Sequence, residues 1–399
     1  MPNISNRGVA MPSSPIRKLV PYAEAAKSKG IKVFHLNIGQ PDIITPPRIM
    51  QAVASAALTM KVLEYSHSAG NESLRKKQVN YYNNIGIHIS HKEIMMTTGG
   101  SEAILFTMLS TLNPGDEVIV PEPFYANYNG FSTIAGVKVV PVRSYIESGF
   151  NLPPISDIED AITTRTKAIM ICNPNNPTGY LYSKVELNYI KDIVKTHDLY
   201  LFSDEAYKEF CYDNNSFTSA LQLEGIEQHV VVFDTISKRY SACGARLGTM
   251  LSRNMELMNT ALKFAQARLS PPSFAQILAE EAVDLPSDYF ESIKAEYCKR
   301  RDTIVDRLNK MEGVFCPNPL GTFYAIARLP IDNSDKFCQW LLEKFSYNNS
   351  TVMLAPATGF YSTKGAGTDE VRLAYVLNCD EINKAMDCLE AALKEYKQL

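Results

Sequence analysis

Apolar residues follow two alternating rhythms through the first two thirds of this chain. Short apolar runs at 94–97, 117–120, 137–142, 167–172, 199–202 and 230–233 read as buried strands. Between them, segments such as 101–112, 125–134 and 184–196 space their apolar positions as helices do. Strands alternating with helices predict a parallel sheet covered on both faces, with right-handed crossovers. Ahead of this region come a polar, proline-bearing stretch at 1–15, helical spacing at 16–28, a short strand at 33–38, and helices at 47–58 and 72–82. Behind it, a long charged helix at 291–311 leads to strands at 322–327, 352–355 and 371–375 and helices at 335–345 and 381–396, which predict a second, smaller unit.

In a sheet of this kind, ligands sit beyond the carboxyl ends of the strands, so the loops that follow the apolar runs carry the information. After 94–97 comes Thr98-Gly99-Gly100-Ser101-Glu102, glycines opening a helix whose free N–H groups and dipole suit an anion such as a phosphate. An ordinary strand-to-helix turn capped by Ser101 would read the same way. After 117–120, Tyr125 is placed to stack on a planar ring or to fill the core. After 167–172, Asn173-Pro174-Asn175-Asn176-Pro177-Thr178-Gly179 is a turn whose prolines fix the backbone and leave an asparagine side chain facing a crevice. After 199–202, Asp204 puts a carboxylate where the apolar strand ends, and burial there demands a cation or strong donors.

The segment 234–248, DTISKRYSACGARLG, sets Lys238 in a turn of small and hydroxyl residues and brings Arg246 back eight residues later. An amine and a guanidinium converging on one pocket suit imine formation and anion binding. Arg239, next to Lys238, is expected to face solvent. Further on, Arg372 interrupts the apolar run 371–375, which costs desolvation unless an anion meets it or the strand lies at an edge.

Composition narrows the classes. A chain of 399 residues predicts two or three domains. A net charge of −3 with scattered basic residues gives no footprint for nucleic acid. The eight cysteines lack CxxC spacing, which argues against a zinc ribbon or a disulfide framework. With no signal-peptide or membrane-length apolar run, a cytoplasmic protein without membrane contact is expected.

Phosphate cradle, stacking aromatic, amide, carboxylate, phenol, lysine and arginine are the groups a phosphorylated pyridine aldehyde needs around it. NNPTG at 175–179, SDEAY at 203–207, and SK at 237–238 with Arg246 eight residues on resemble, in combination, the fold-type I pyridoxal-phosphate aminotransferases of the class I/II family. The wording is similar to the bacterial aspartate aminotransferase-like branch, and the resemblance runs from about Ile16 to the C-terminus. It implies an α/β fold whose large domain has a mostly parallel seven-stranded sheet flanked by helices, beside a smaller α+β domain. The expected division is an arm at 1–15, an N-terminal part of the small domain at 16–48, the large cofactor domain at 49–295 and the C-terminal small domain at 296–399.

The resemblance also implies roles. Lys238 would condense with pyridoxal 5'-phosphate and later move the proton at the substrate's Cα. Asp204 would keep the pyridine nitrogen protonated, Tyr207 and Asn176 would donate to the ring's phenolic oxygen, and Tyr125 would lie against the ring. Gly100, Ser101, Thr235 and Arg246 would hold the phosphate, joined by Tyr65 reaching across from a second subunit, so a homodimer with shared sites is expected. Arg372, with Gly39 and Asn176, would bind the substrate's α-carboxylate. The implied reaction is ping-pong amino transfer from an L-amino acid, aspartate favoured, to a 2-oxo acid, 2-oxoglutarate favoured; an aromatic or broad-range transaminase and a lyase on the same fold are the alternatives. An effector-sensing regulator of the same fold would need an added DNA-binding domain, and the roughly fifteen residues before Ile16 are expected to leave no room for one. Arg268 is a candidate reader of a distal carboxylate, or a solvated helix residue. His67 lies near the expected site entrance, while His88 and His91 lack a third metal ligand.

Overall fold

The computed structural model describes residues 2–397, so Met1, Gln398 and Leu399, the outermost positions of the expected arm and C-terminal unit, lie outside the described residues. In chain order the strands are β1 (Lys32–His35), β2 (Ile94–Thr97), β3 (Glu117–Glu122), β4 (Lys138–Arg143), β5 (Thr166–Cys172), β6 (Tyr200–Asp204), β7 (Val230–Thr235), β8 (Gly248–Leu251), β9 (Tyr324–Arg328), β10 (Ser350–Met353), β11 (Ala355–Pro356) and β12 (Glu370–Ala374). Seven of them form one sheet in the order β2-β8-β7-β6-β5-β3-β4, in which β8 alone runs against its neighbours.

Alternation explains why the central strands are apolar throughout. Ala168, Met170 and Cys172 of β5 and Val231 and Phe233 of β7 join the core on one face, while Ile169, Ile171, Val230 and Val232 join the core on the other. With both faces buried, the middles of β5 and β7 are apolar and polar side chains gather towards the strand ends. Asp204 and Thr235 stand at those ends, on adjacent parallel strands, with Asp204 opposite Phe233.

The N-terminal segment crosses to the C-terminal part of the chain. β1 pairs in parallel with β10, Lys32 opposite Ser350, and β9, β11 and β12 form a three-stranded antiparallel sheet. The strand predicted at 352–355 is in fact two, because the chain changes partner at buried Leu354, leaving β1 behind and joining β12. The strand predicted at 33–38 stops at His35. Beyond it the Ala374 N–H donates to the Leu36 carbonyl at 2.7 Å, which lays residues 37–39 alongside the strand that carries Arg372.

Candidate active site

The loops beyond β5, β6 and β7, the start of the helix Gly99–Thr111, and the crossing segment 37–39 surround one cavity of about 320 Å³. Gly100, Ser101, Thr235 and Arg246 line one end. The helix begins at Gly99 with Thr98 as its cap, so Ser101 sits in the first turn and its role as cap is not needed. β8 presses against this turn: a Cβ on Gly248 would lie 2.4 Å from the Gly100 nitrogen. Backbone N–H groups at a helix start, two hydroxyls and a guanidinium form a donor set fitted to a phosphate. Ser237, which hydrogen bonds Thr235 at 2.8 Å and also lines the cavity, belongs with them.

Asp204 accepts from the Tyr128 hydroxyl at 2.8 Å and the Ala206 N–H at 3.2 Å. Burial raises its pKa to about 6 in spite of those donors. A cation placed against it would restore the charge, which is the chemistry of a protonated pyridine. Tyr128 escaped sequence reasoning, because a tyrosine one helical turn after Tyr125 looks like a core residue. Tyr125 lines the cavity and packs edge-on against Tyr128.

Lys238 donates to the Gly39 carbonyl at 2.8 Å, and both face the cavity. Gly39 must be glycine here, since a Cβ would overlap the Tyr324 hydroxyl. Asn176 donates to the Tyr207 hydroxyl at 3.5 Å and accepts from Arg372 at 3.1 Å. Arg372 is buried, lies between the rings of Tyr324 and Phe360 at 4.5 and 4.7 Å from their centroids, and donates to the Asn37 carbonyl at 2.6 Å. It forms no ion pair among the described residues, its Nε has no partner, and burial lowers its pKa. A buried guanidinium left in that state suits a carboxylate arriving from outside.

Other expectations fall elsewhere. Tyr65 is 78% exposed and does not line this chain's cavity. Arg239 is a correction: instead of facing solvent it is buried, paired with Asp234 and with Glu209 at 3.1 Å. Asp234 lies five residues upstream, but Glu209 comes from another segment, and only the two together take the guanidinium out of water. Arg268 is tied down by Glu102 at 3.4 Å and by the Ser68 carbonyl at 3.2 Å, outside the cavity. The His67 ring accepts from its own loop at Ala69, and His88 and His91 lie beside Asn83 and Glu72. Arg17 does line the cavity, and nothing in the sequence singled it out.

The profile of the family described as aminotransferase class I and II matches residues 31–387. The chain belongs to that family. It is an amino-acid aminotransferase, and its cofactor is pyridoxal phosphate. The aspartate aminotransferase of Pyrococcus horikoshii is 31% identical over 399 residues, covering 99% of this chain and 98% of its own. The aromatic-amino-acid aminotransferase 2 of Thermococcus litoralis is 30% identical over 401 residues, covering 99% of each. Among solved structures, a single mutant of Thermus thermophilus aspartate aminotransferase superposes with a TM-score of 0.89 at 28% identity, over 98% of this aminotransferase and 100% of its own chain. Among the described residues no helix is long and apolar enough to cross a membrane.

Proposed function

We propose that this aminotransferase takes the amino group of a dicarboxylic amino acid, aspartate first, and passes it to 2-oxoglutarate in two half-reactions at one site. The observation that carries the substrate class is a cation left over. Four basic side chains line the cavity: Arg17, Lys238, Arg246 and Arg372. A phosphate would take Arg246, an α-carboxylate would take Arg372, and Lys238 would serve as the reactive amine. Arg17 remains, exposed and in no ion pair among the described residues, and a second carboxylate on the substrate would match it. The names of the Pyrococcus and Thermus relatives support aspartate; that of the Thermococcus enzyme keeps an aromatic substrate as the alternative.

The residue roles follow from chemistry. Pyridoxal phosphate supplies an aldehyde for imine exchange and a cationic ring that withdraws electrons from the substrate's Cα. Asp204 would serve as the anion that keeps the ring nitrogen protonated. Tyr207, whose hydroxyl burial keeps protonated, and Asn176 would donate to the ring oxygen, and Tyr125 would cover a ring face. Arg372, with Asn176 and the Gly39 backbone, holds the α-carboxylate, which fixes the Cα–H bond within reach of Lys238. The Lys238 amine would take that proton and hand it back to complete the transfer.

The exposure of Tyr65 supports its use by a neighbouring subunit, and thus a homodimer with shared sites. The pairing of β1 with β10 supports a small unit built from 16–48 and 296–399 that moves against the large domain at 49–295, beyond an arm at 1–15. The test is oxo-acid release from a panel of amino acids by wild type and Arg17→Gln. We expect kcat/KM for aspartate to fall about 10- to 100-fold in the variant, the worth of a hydrogen bond to a charge, with alanine and phenylalanine little changed. A wild type that prefers phenylalanine to aspartate would replace this substrate class with the aromatic one.

A further inference from the structure

The turn that carries Lys238 is bracketed by two charged residues that do not line the cavity, Asp234 at the end of β7 and Arg239. They pair with each other, and so fasten the two ends of the turn that holds Thr235, Ser237 and Lys238. Asp234 also accepts the Thr235 N–H at 2.7 Å. The segment that carries Asp204 and Tyr207 continues into Lys208 and Glu209, and these complete the set. Lys208 pairs with Asp234, and Arg239 reaches Glu209 at 3.1 Å with its other guanidinium nitrogen. The Tyr82 hydroxyl donates to Asp234 and the Tyr81 hydroxyl to Glu209. Side-chain exposure is 2% for Lys208 and Asp234, 3% for Arg239 and 11% for Glu209. Burial alone would push the Asp234 carboxyl up, but Arg239 and Lys208 outweigh it and hold it well below the usual range.

Two cations and two anions out of water are an expensive way to stabilise a fold, since apolar residues of the same volume do as well or better. What such a set does supply is geometry: each charge has few positions in which its partners satisfy it. Here every member is a chain neighbour of a cavity residue or lies one residue beyond it: Lys208 and Glu209 follow Tyr207, Asp234 precedes Thr235, and Arg239 follows Lys238. We propose that this quartet positions Lys238 against the Asp204–Tyr207 segment. Lys208, Glu209, Asp234 and Arg239 are therefore positioning residues, which act on the reaction through Lys238 and not by touching substrate.

The inference rests on Lys238 being the reactive amine, which is tested separately by where borohydride fixes the cofactor. For the quartet, the holoenzymes of Arg239→Gln, Arg239→Lys and Glu209→Gln are compared with wild type. We expect unchanged far-ultraviolet dichroism, an altered visible dichroism of the bound pyridoxal phosphate, and kcat lowered about tenfold or more, because small misplacements of a reacting group are costly. KM for the amino acid should stay within about twofold, since substrate binding is not touched. Arg239→Lys should recover part of the loss, keeping the charge but unable to reach both carboxylates at once. If Arg239→Gln does not fold, Glu209→Gln, at the more exposed end, decides by the same readings. Folded variants with wild-type visible dichroism and wild-type kcat, altered only in melting temperature, would overturn the proposal and leave the quartet purely structural. Cofactor fixed to a lysine other than Lys238 in wild type would instead overturn the site assignment.

Discussion

Asp204 shows what burying a carboxyl at the end of a strand costs the chain. Its carboxyl is carried out of water at the end of β6, receives two hydrogen bonds, and still has its pKa raised from 3.8 to about 6 by burial. The folded state thus holds this proton more tightly than the unfolded chain does. Stability is present below the unfolded value and is lost as the pH climbs through about 6. In the cofactor-free protein Asp204→Asn should therefore raise stability above that window, by on the order of 1–2 kcal/mol after allowing for exposure to the cavity, and have little effect below it. Urea titrations on either side of the window check this, and the same variant should bind the cofactor more weakly. At this scale the sequence spoke through types and spacing: Lys238, Asp204, Asn176 and Arg372 stand where apolar runs break. It was silent about Tyr128 and misplaced Arg239 in solvent, since Asp204 and Glu209, which these two meet, come from other segments. Chain neighbours do not reveal such pairs.

The elements were legible where burial is two-sided. β5, β6 and β7 could be read from apolar runs because helices cover both faces, and the informative loops follow them for the same reason. Direction and partner were less legible. That β8 runs antiparallel, and that 350–356 divides between two sheets, depend on contacts made across the molecule. The close approach of β8 to the helix Gly99–Thr111 gives an element-scale test. A methyl at Gly248 would meet the backbone at Gly99 and Gly100, which cannot rotate away as a side chain can. Gly248→Ala should cost about 1–3 kcal/mol of stability, as overpacking does. Because the helix start would shift, it should also weaken phosphate-dependent cofactor binding, measured by fluorescence titration, while β6 and its Asp204 are left in place. Unchanged affinity for the cofactor would separate this turn from phosphate binding.

At the scale of the whole molecule, the role proposed for the exposed Tyr65 concerns assembly. If it serves the neighbouring subunit, Tyr65→Ala chains and Lys238→Ala chains are each defective, yet a hybrid of the two holds one site with both residues. Random pairing on a twofold axis would restore about a quarter of wild-type activity on mixing. No recovery would mean that Tyr65 acts within its own chain or not at all. The N-terminal crossing also joins distant parts of the chain: β1 lies some three hundred residues from its partner β10, and the segment just beyond β1 brings the Gly39 carbonyl to Lys238. The whole reading turns on that lysine. Reduction of the holoenzyme with borohydride, followed by peptide mapping, measures it directly: the pyridoxyl group is expected on the peptide containing Lys238, and its recovery on any other lysine would contradict the assignment of this cavity as the site of amino transfer.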